Sequence, residues 1–286
     1  MLFTAALQVT AIAIVKIMGT QVNVAVAVLL YYLVPCVLFL PTLYRLGRTV
    51  LATKHFGFYL LRGVLSVLAV YCLFYSAQQV NLALVTVLFN TTPLFIPIIA
   101  SLCLQEHATL KQWIGIVIAA GGVLVALYPG LHGLFSPIAF FALASGILMA
   151  ISQVMLRKLA QDGESTHTIV FYQYACCTLV ALCIIVSRLA IHVLHSGTMP
   201  VFMQSTVRNI LLLLCLGSLC FVGQRVLALA FRQLPAALLA PLLYISVPLS
   251  ALLDWVFWGQ TVTSFMLIGT ILIVAGLCVM NKRSTP

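Results

Sequence analysis

Four acidic residues are all that this chain of 286 residues carries: Glu106, Asp162, Glu164 and Asp254. Enzymatic work on a lipid-linked substrate needs paired acids, a metal set, or a nucleophile with its base. Asp162 and Glu164 share one loop, while Glu106 and Asp254 fall at the ends of apolar segments on opposite membrane faces. His192 and His195 have the i, i+3 spacing of metal ligands, but nothing acidic or thiolate accompanies them, and they read as part of a solvated outer loop. The nine cysteines form no C-x-x-C pair and lie mostly inside apolar runs, where cysteine behaves as a small hydrophobe. The chain is therefore read as a non-enzyme without metal or cofactor, a polytopic membrane enzyme being the reading from another class.

Binding is the better use of the polar residues that remain. Arg62 and Arg225 lie inside apolar segments about two turns from one end, where a charge is costly and functional unless it snorkels. Both are candidates for holding a substrate carboxylate. Asp254 is the one acid inside a segment, near its outer end, and would receive a substrate cation or pair with Lys16. Thr86, Asn90, Pro93 and Pro97 recur at i, i+4, i+7 and i+11, one face of a helix. Pro93 removes a backbone donor, so the carbonyls behind it must face protein or a water-filled cavity. Pro241, Tyr244, Pro248 and Trp255 share a face of a second such segment, and a tyrosine there suits a flat ring or a cation. A packed kink and an ordinary core tyrosine are the bland readings.

The elements that position these residues are set by composition. The chain is 64% apolar and 6% charged, with mean hydropathy +1.21. A soluble domain needs roughly a quarter of its residues charged. Lipid is the solvent, and apolar runs without period-2 alternation make the spans helical. Ten spans are expected: Leu2–Met18, Val22–Tyr44, Phe56–Gln78, Leu82–Leu104, Lys111–Tyr128, Pro137–Leu156, Thr168–Ile191, Val207–Phe231, Ala236–Phe257 and Phe265–Met280. The first is read as a retained helix rather than a signal peptide, since it has no basic n-region. The net charge of +10 makes no basic-aromatic patch for nucleic acid; the basic residues report topology instead. Nine of them fall on the side of the N-terminus against two, Arg188 and Arg208, on the other, which places both termini in the cytoplasm.

A shift of 154 positions lays Gly63 on Gly217, Gln79 on Gln233, Ala83 on Ala237, Gly115 on Gly269 and Gly122 on Gly276. The chain divides into halves 1–130 and 131–286, and five spans in each make the second half inverted. Proline-broken segments at matching places in two halves point to a transporter's binding site, and the shift equates Asn90 with Tyr244. Gly115-x6-Gly122 and Gly269-x6-Gly276 give the fifth and tenth spans small-residue faces for close contact, within the bundle or in a homodimer.

Leu61-Arg62-Gly63, Phe74-Tyr75-Ser76-Ala77, Thr92-Pro93-Leu94-Phe95, Glu106 and Gly121-Gly122 resemble the drug/metabolite transporter superfamily, EamA type, over essentially the whole chain. Ala240-Pro241-x-x-Tyr244 and Leu253-Asp254-Trp255 resemble the branch that holds S-adenosylmethionine uptake carriers. The resemblance implies an inner-membrane carrier with a central cavity lined mainly by spans 1, 3, 4, 6, 8 and 9, and S-adenosylmethionine, exchanged for S-adenosylhomocysteine, as substrate. Export of amino acids or related metabolites is the alternative. The chain departs from the family at Gln8-Val9 for Trp-Gly and, where an acid would couple protons, at Ser246-Val247 for Glu-Pro and Gly259-Gln260 for Gly-Glu. No acid or histidine stands at mid-depth in any span, so substrate gradients or exchange, rather than a proton gradient, are expected to drive transport.

Overall fold

The computed structural model describes residues 2–47, 50–51, 53, 55–79, 82–105, 109–127, 137–196, 207–234, 239, 242, 245–259 and 264–281. Among these it holds eleven α-helices and no β-strand: α1 Leu2–Met18, α2 Val24–Leu46, α3 Phe56–Gln79, α4 Leu82–Phe89, α5 Thr92–Leu104, α6 Leu110–Leu127, α7 Pro137–Gln161, α8 Thr166–Ser196, α9 Val207–Gln233, α10 Ser246–Trp258 and α11 Ser264–Asn281. Helices satisfy every interior backbone group within the segment, which hydrocarbon demands. Five of them, α2, α3, α7, α9 and α8 over Thr166–Ala190, are 23–27 residues long and apolar enough to cross a membrane.

Burial follows the inverted logic of lipid. Val37, Leu40, Leu179, Leu182, Leu211 and Leu214 lie exposed on the outer faces of α2, α8 and α9, while Ser66, Ser76, Asn90, Ser145 and Ser152 are buried inside. Exposed apolar surface on this scale is what a bilayer covers.

Local signals set the ends. Asn23 caps α2 by accepting from the Ala25 amide at 2.9 Å. Gly163, at φ +85°, makes the sharp turn after α7, and the Ser165 hydroxyl accepts from the Thr168 amide at 3.0 Å to open α8. The expected span Leu82–Leu104 is two helices, broken at Asn90-Thr91 as Pro93 requires. The expected end of the seventh span at Ile191 is corrected: α8 runs to Ser196, so His192 and His195 belong to its last turns rather than to a loop.

Helix contacts come in exchanged pairs. α3 packs on α7 and α8, and α9 packs on α1 and α2. α4 packs on α7, and α10 on α1, while α2 with α8, α4 with α10, and α6 with α11 meet directly. The glycine faces expected of α6 and α11 meet within the bundle. A Cβ on Gly122 would lie 2.7 Å from the Gly269 carbonyl oxygen, and one on Gly276 2.6 Å from that of Gly115.

The two ends of the bundle are also sorted. At one, Thr53 Oγ1 donates to Glu164 Oε1 at 2.6 Å and the Tyr172 hydroxyl to the Leu51 carbonyl at 2.9 Å. At the other, Gln21 Oε1 accepts from Arg208 and Asn209, each at 3.4 Å.

Candidate functional site

A cavity opens between α1, α2, α7 and α9, with about 530 Å³ of empty space counting the solvent at its mouth. Its polar wall is Thr4 and Gln8 from α1, Tyr31 from α2, Gln153 from α7, and Cys220 and Gln224 from α9. Leu7, Met149 and Leu227 are among the apolar remainder, and no lining side chain carries a formal charge. Gln153 is 5% exposed, and its Oε1 is buried without a hydrogen-bond partner.

A buried network stands directly behind this wall. Arg62, 2% exposed, donates from Nε to the Ser152 carbonyl at 3.2 Å, while its Nη1 has no partner. The hydroxyls of Ser66 and Ser152 meet at 2.6 Å, and the Tyr32 hydroxyl donates to the Ser66 carbonyl at 3.3 Å. Tyr31 and Tyr32, like Ser152 and Gln153, are chain neighbours about 100° apart around their helix. One of each pair enters the network on α3, and the other lines the cavity. The network thereby fixes the rotation of α2 and α7 that presents Tyr31 and Gln153.

Arg62, Thr86, Asn90, Pro93, Arg225 and Trp255 are not among the residues that line this cavity. Arg62 is behind the cavity. Arg225 stacks on aromatic rings, 5.0 Å from the centroid of Phe221 and 5.7 Å from that of Phe39. At the proline break, Thr92 Oγ1 donates to the Phe89 carbonyl at 2.6 Å, the very acceptor that Pro93 leaves without an amide. The same hydroxyl lies 2.9 Å from the Gly146 carbonyl, and Thr91 Oγ1 donates to the Leu88 carbonyl at 2.7 Å. The break is thus closed by its own hydroxyls and by α7. Pro93 and Thr86 are buried there, and Thr86 Oγ1 has no partner. Asn90, also buried, donates from Nδ2 to the Thr86 carbonyl at 2.6 Å and accepts from Ser246 Oγ at 2.8 Å.

On the second segment, Pro241 and Tyr244 lie outside the described residues, as do Glu106 and the side chains of Pro248 and Asp254. Trp255 is 52% exposed on α10. The contact of Asn90 with Ser246, two residues beyond Tyr244, joins the two broken segments.

Gln153 and Gln224 carry no charge and break no helix, so neither stands out within its span as the arginines and prolines do. Their signal was a glutamine inside an apolar segment, a polar group that hydrocarbon tolerates only against protein or water. Gln8 stood out only as a departure from the family's first helix.

A chain whose described elements are all helices, with a lipid-type surface and a polar cavity between them, is a multi-pass membrane protein built to hold a small molecule. The chain belongs to the EamA-like transporter family, whose model matches residues 1–128 and again residues 136–282. It is similar to the pseudopaline exporter CntI of Pseudomonas aeruginosa, 27% identical over 78% of this chain and 74% of that protein. It is also similar to a riboflavin transporter of Vibrio cholerae, 24% identical over 90% of this chain and 82% of that one. An S-adenosylmethionine uptake transporter of Rickettsia bellii is 21% identical over 91% of this chain and 84% of its own length. A solved crystal structure shares the fold with a TM-score of 0.76, over 98% of this chain and 95% of the other, at 19% identity.

Proposed function

We propose that this chain is an inner-membrane secondary transporter of a small polar metabolite. It works by alternating access in a bundle of ten spans made of two inverted five-helix halves, 1–130 and 131–286. The observation that carries this is a polar, uncharged cavity between helices of both halves in a member of a transporter family. The tandem family matches and the exchanged helix contacts support the two halves. Relatives' names support two candidate substrates, S-adenosylmethionine and riboflavin; S-adenosylhomocysteine is the proposed counter-substrate of the first. Uptake follows the substrates' own gradients, since the cavity wall has no group that loads a proton near neutral pH.

Counterflow in proteoliposomes tests this. Preloading with one of the two unlabelled candidates is expected to speed uptake of its labelled form with no pH difference across the membrane. If uptake of both needs an imposed pH gradient, the coupling is wrong; if neither compound moves under any gradient, so is the substrate reading.

The sorted ends of the bundle give a topology to check. On a cysteine-depleted background, His55→Cys is expected to be protected from an impermeant thiol reagent in intact cells and Gln21→Cys to be labelled, since basic residues gather on the side of His55. Labelling at His55→Cys alone would reverse the orientation.

A further inference from the structure

We infer that Gln153 determines specificity in this cavity, and that its buried amide oxygen accepts a hydrogen bond from an uncharged metabolite bearing an amide- or imide-type N–H. The inference rests on the transporter reading for its context but on the cavity alone for its chemistry.

A buried carbonyl oxygen without a donor is destabilising, and more so where no water reaches it. Gln153 Oε1 is such an atom, and its side chain lines the cavity. Its orientation is held from behind, because Ser152 is tied to Arg62 through the main chain and to Ser66 through the hydroxyl. An acceptor held in this way and left without a donor is matched by a ligand that brings one.

The rest of the wall defines the ligand's charge. A cation would need a carboxylate or an aromatic cage to replace its hydration. The wall offers three glutamine amides, a threonine, a cysteine and one tyrosine, with no acid. Behind it stands the guanidinium of Arg62, which meets no carboxylate among the described residues and so leaves the local potential positive. An anion reaches no cationic group at the wall either, because Arg62 is enclosed by α2, α3, α7 and α8. An uncharged molecule with alternating donors and acceptors, such as a cyclic imide, matches amides that each offer both.

The test is binding to the purified full-length protein in detergent, which requires no transport. The probes are riboflavin, 3-methylriboflavin, which lacks the imide N–H, and S-adenosylmethionine as the cationic comparison. Riboflavin is expected to bind, with 3-methylriboflavin and S-adenosylmethionine weaker by about tenfold or more. Gln153→Met, close in volume, is expected to lose about tenfold for riboflavin and to bind the two flavins alike, while melting at or above the wild-type temperature. Gln153→Asn, which keeps the amide but shortens its reach, is expected to recover part of the difference between the flavins. Absence of riboflavin binding, preference for S-adenosylmethionine, or a Gln153→Met variant that still distinguishes the flavins would each overturn the inference. Binding that behaves as expected without counterflow would sink the transporter reading and leave this one standing.

Discussion

Gly276→Leu is expected to lower the melting temperature of the detergent-purified protein sharply and to broaden its gel-filtration profile. Between helices in a bilayer there is no hydrophobic gain from association, so close van der Waals packing supplies the attraction. α6 and α11 achieve it with backbone against backbone. A Cβ at Gly276 would sit 2.6 Å from the Gly115 carbonyl oxygen and 2.8 Å from the Ala119 amide nitrogen, and neither atom belongs to a flexible side chain that could yield. Overpacking typically costs about 1–3 kcal/mol, and a leucine here must push the whole helix aside. Gly122→Leu meets the reciprocal contact, 2.7 Å from the Gly269 carbonyl oxygen, and should cost about as much. Once one side chain has parted the helices the other finds room, so the double variant is expected to lose clearly less than the sum. Fully additive losses, or a wild-type melting curve for Gly276→Leu, would show that these helices do not pack as described.

Arg62→Met is expected to do the opposite: leave the fold intact and change what the cavity rejects. A buried arginine is costly in a membrane, about 2.5–3.5 kcal/mol at a helix centre on insertion scales. The hydrogen bond from Nε to the Ser152 carbonyl returns about 1.5–3 kcal/mol, as bonds from charged groups do. The two nearly cancel, so the melting temperature should stay within a few degrees of wild type or rise. The charge itself acts at a distance. At an effective dielectric near 20 and about 10 Å, a unit charge contributes about 1–2 kcal/mol against a cation, or roughly tenfold in affinity. Binding of S-adenosylmethionine should therefore strengthen roughly tenfold in Arg62→Met and stay weak in Arg62→Lys, which keeps the charge. Equal affinity in all three proteins would mean that the cavity does not feel Arg62.

The sequence made some of this legible because periodicity and punctuation are local. The offset that lays Gly122 on Gly276 named both sides of the α6–α11 contact, and Pro93 named the place where α4 gives way to α5. What escaped were matters of helix rotation. Whether the carbonyls behind Pro93 open onto a cavity depends on the Thr91 and Thr92 hydroxyls, which turn back to close them. Arg62 sits near a helix end by count, so depth alone suggested a snorkelling or substrate-facing charge. The lateral packing of α3 against α7 and α8 instead encloses it. The amides of Gln8, Gln153 and Gln224 carry no charge to draw the eye, and only the assembled bundle turns them toward one space.

The α6–α11 contact also bears on how the protein is made. Gly122 and Gly276 are 154 residues apart in the chain. At ordinary synthesis rates of about 5–20 residues per second, α6 waits roughly 8–30 s for its partner. During that interval its glycine groove lies against lipid, or against whatever other small-faced helix is nearby. The last described helix to leave the ribosome is thus the one that closes the groove, and a stall before Ser264 would strand a bundle with that seam open.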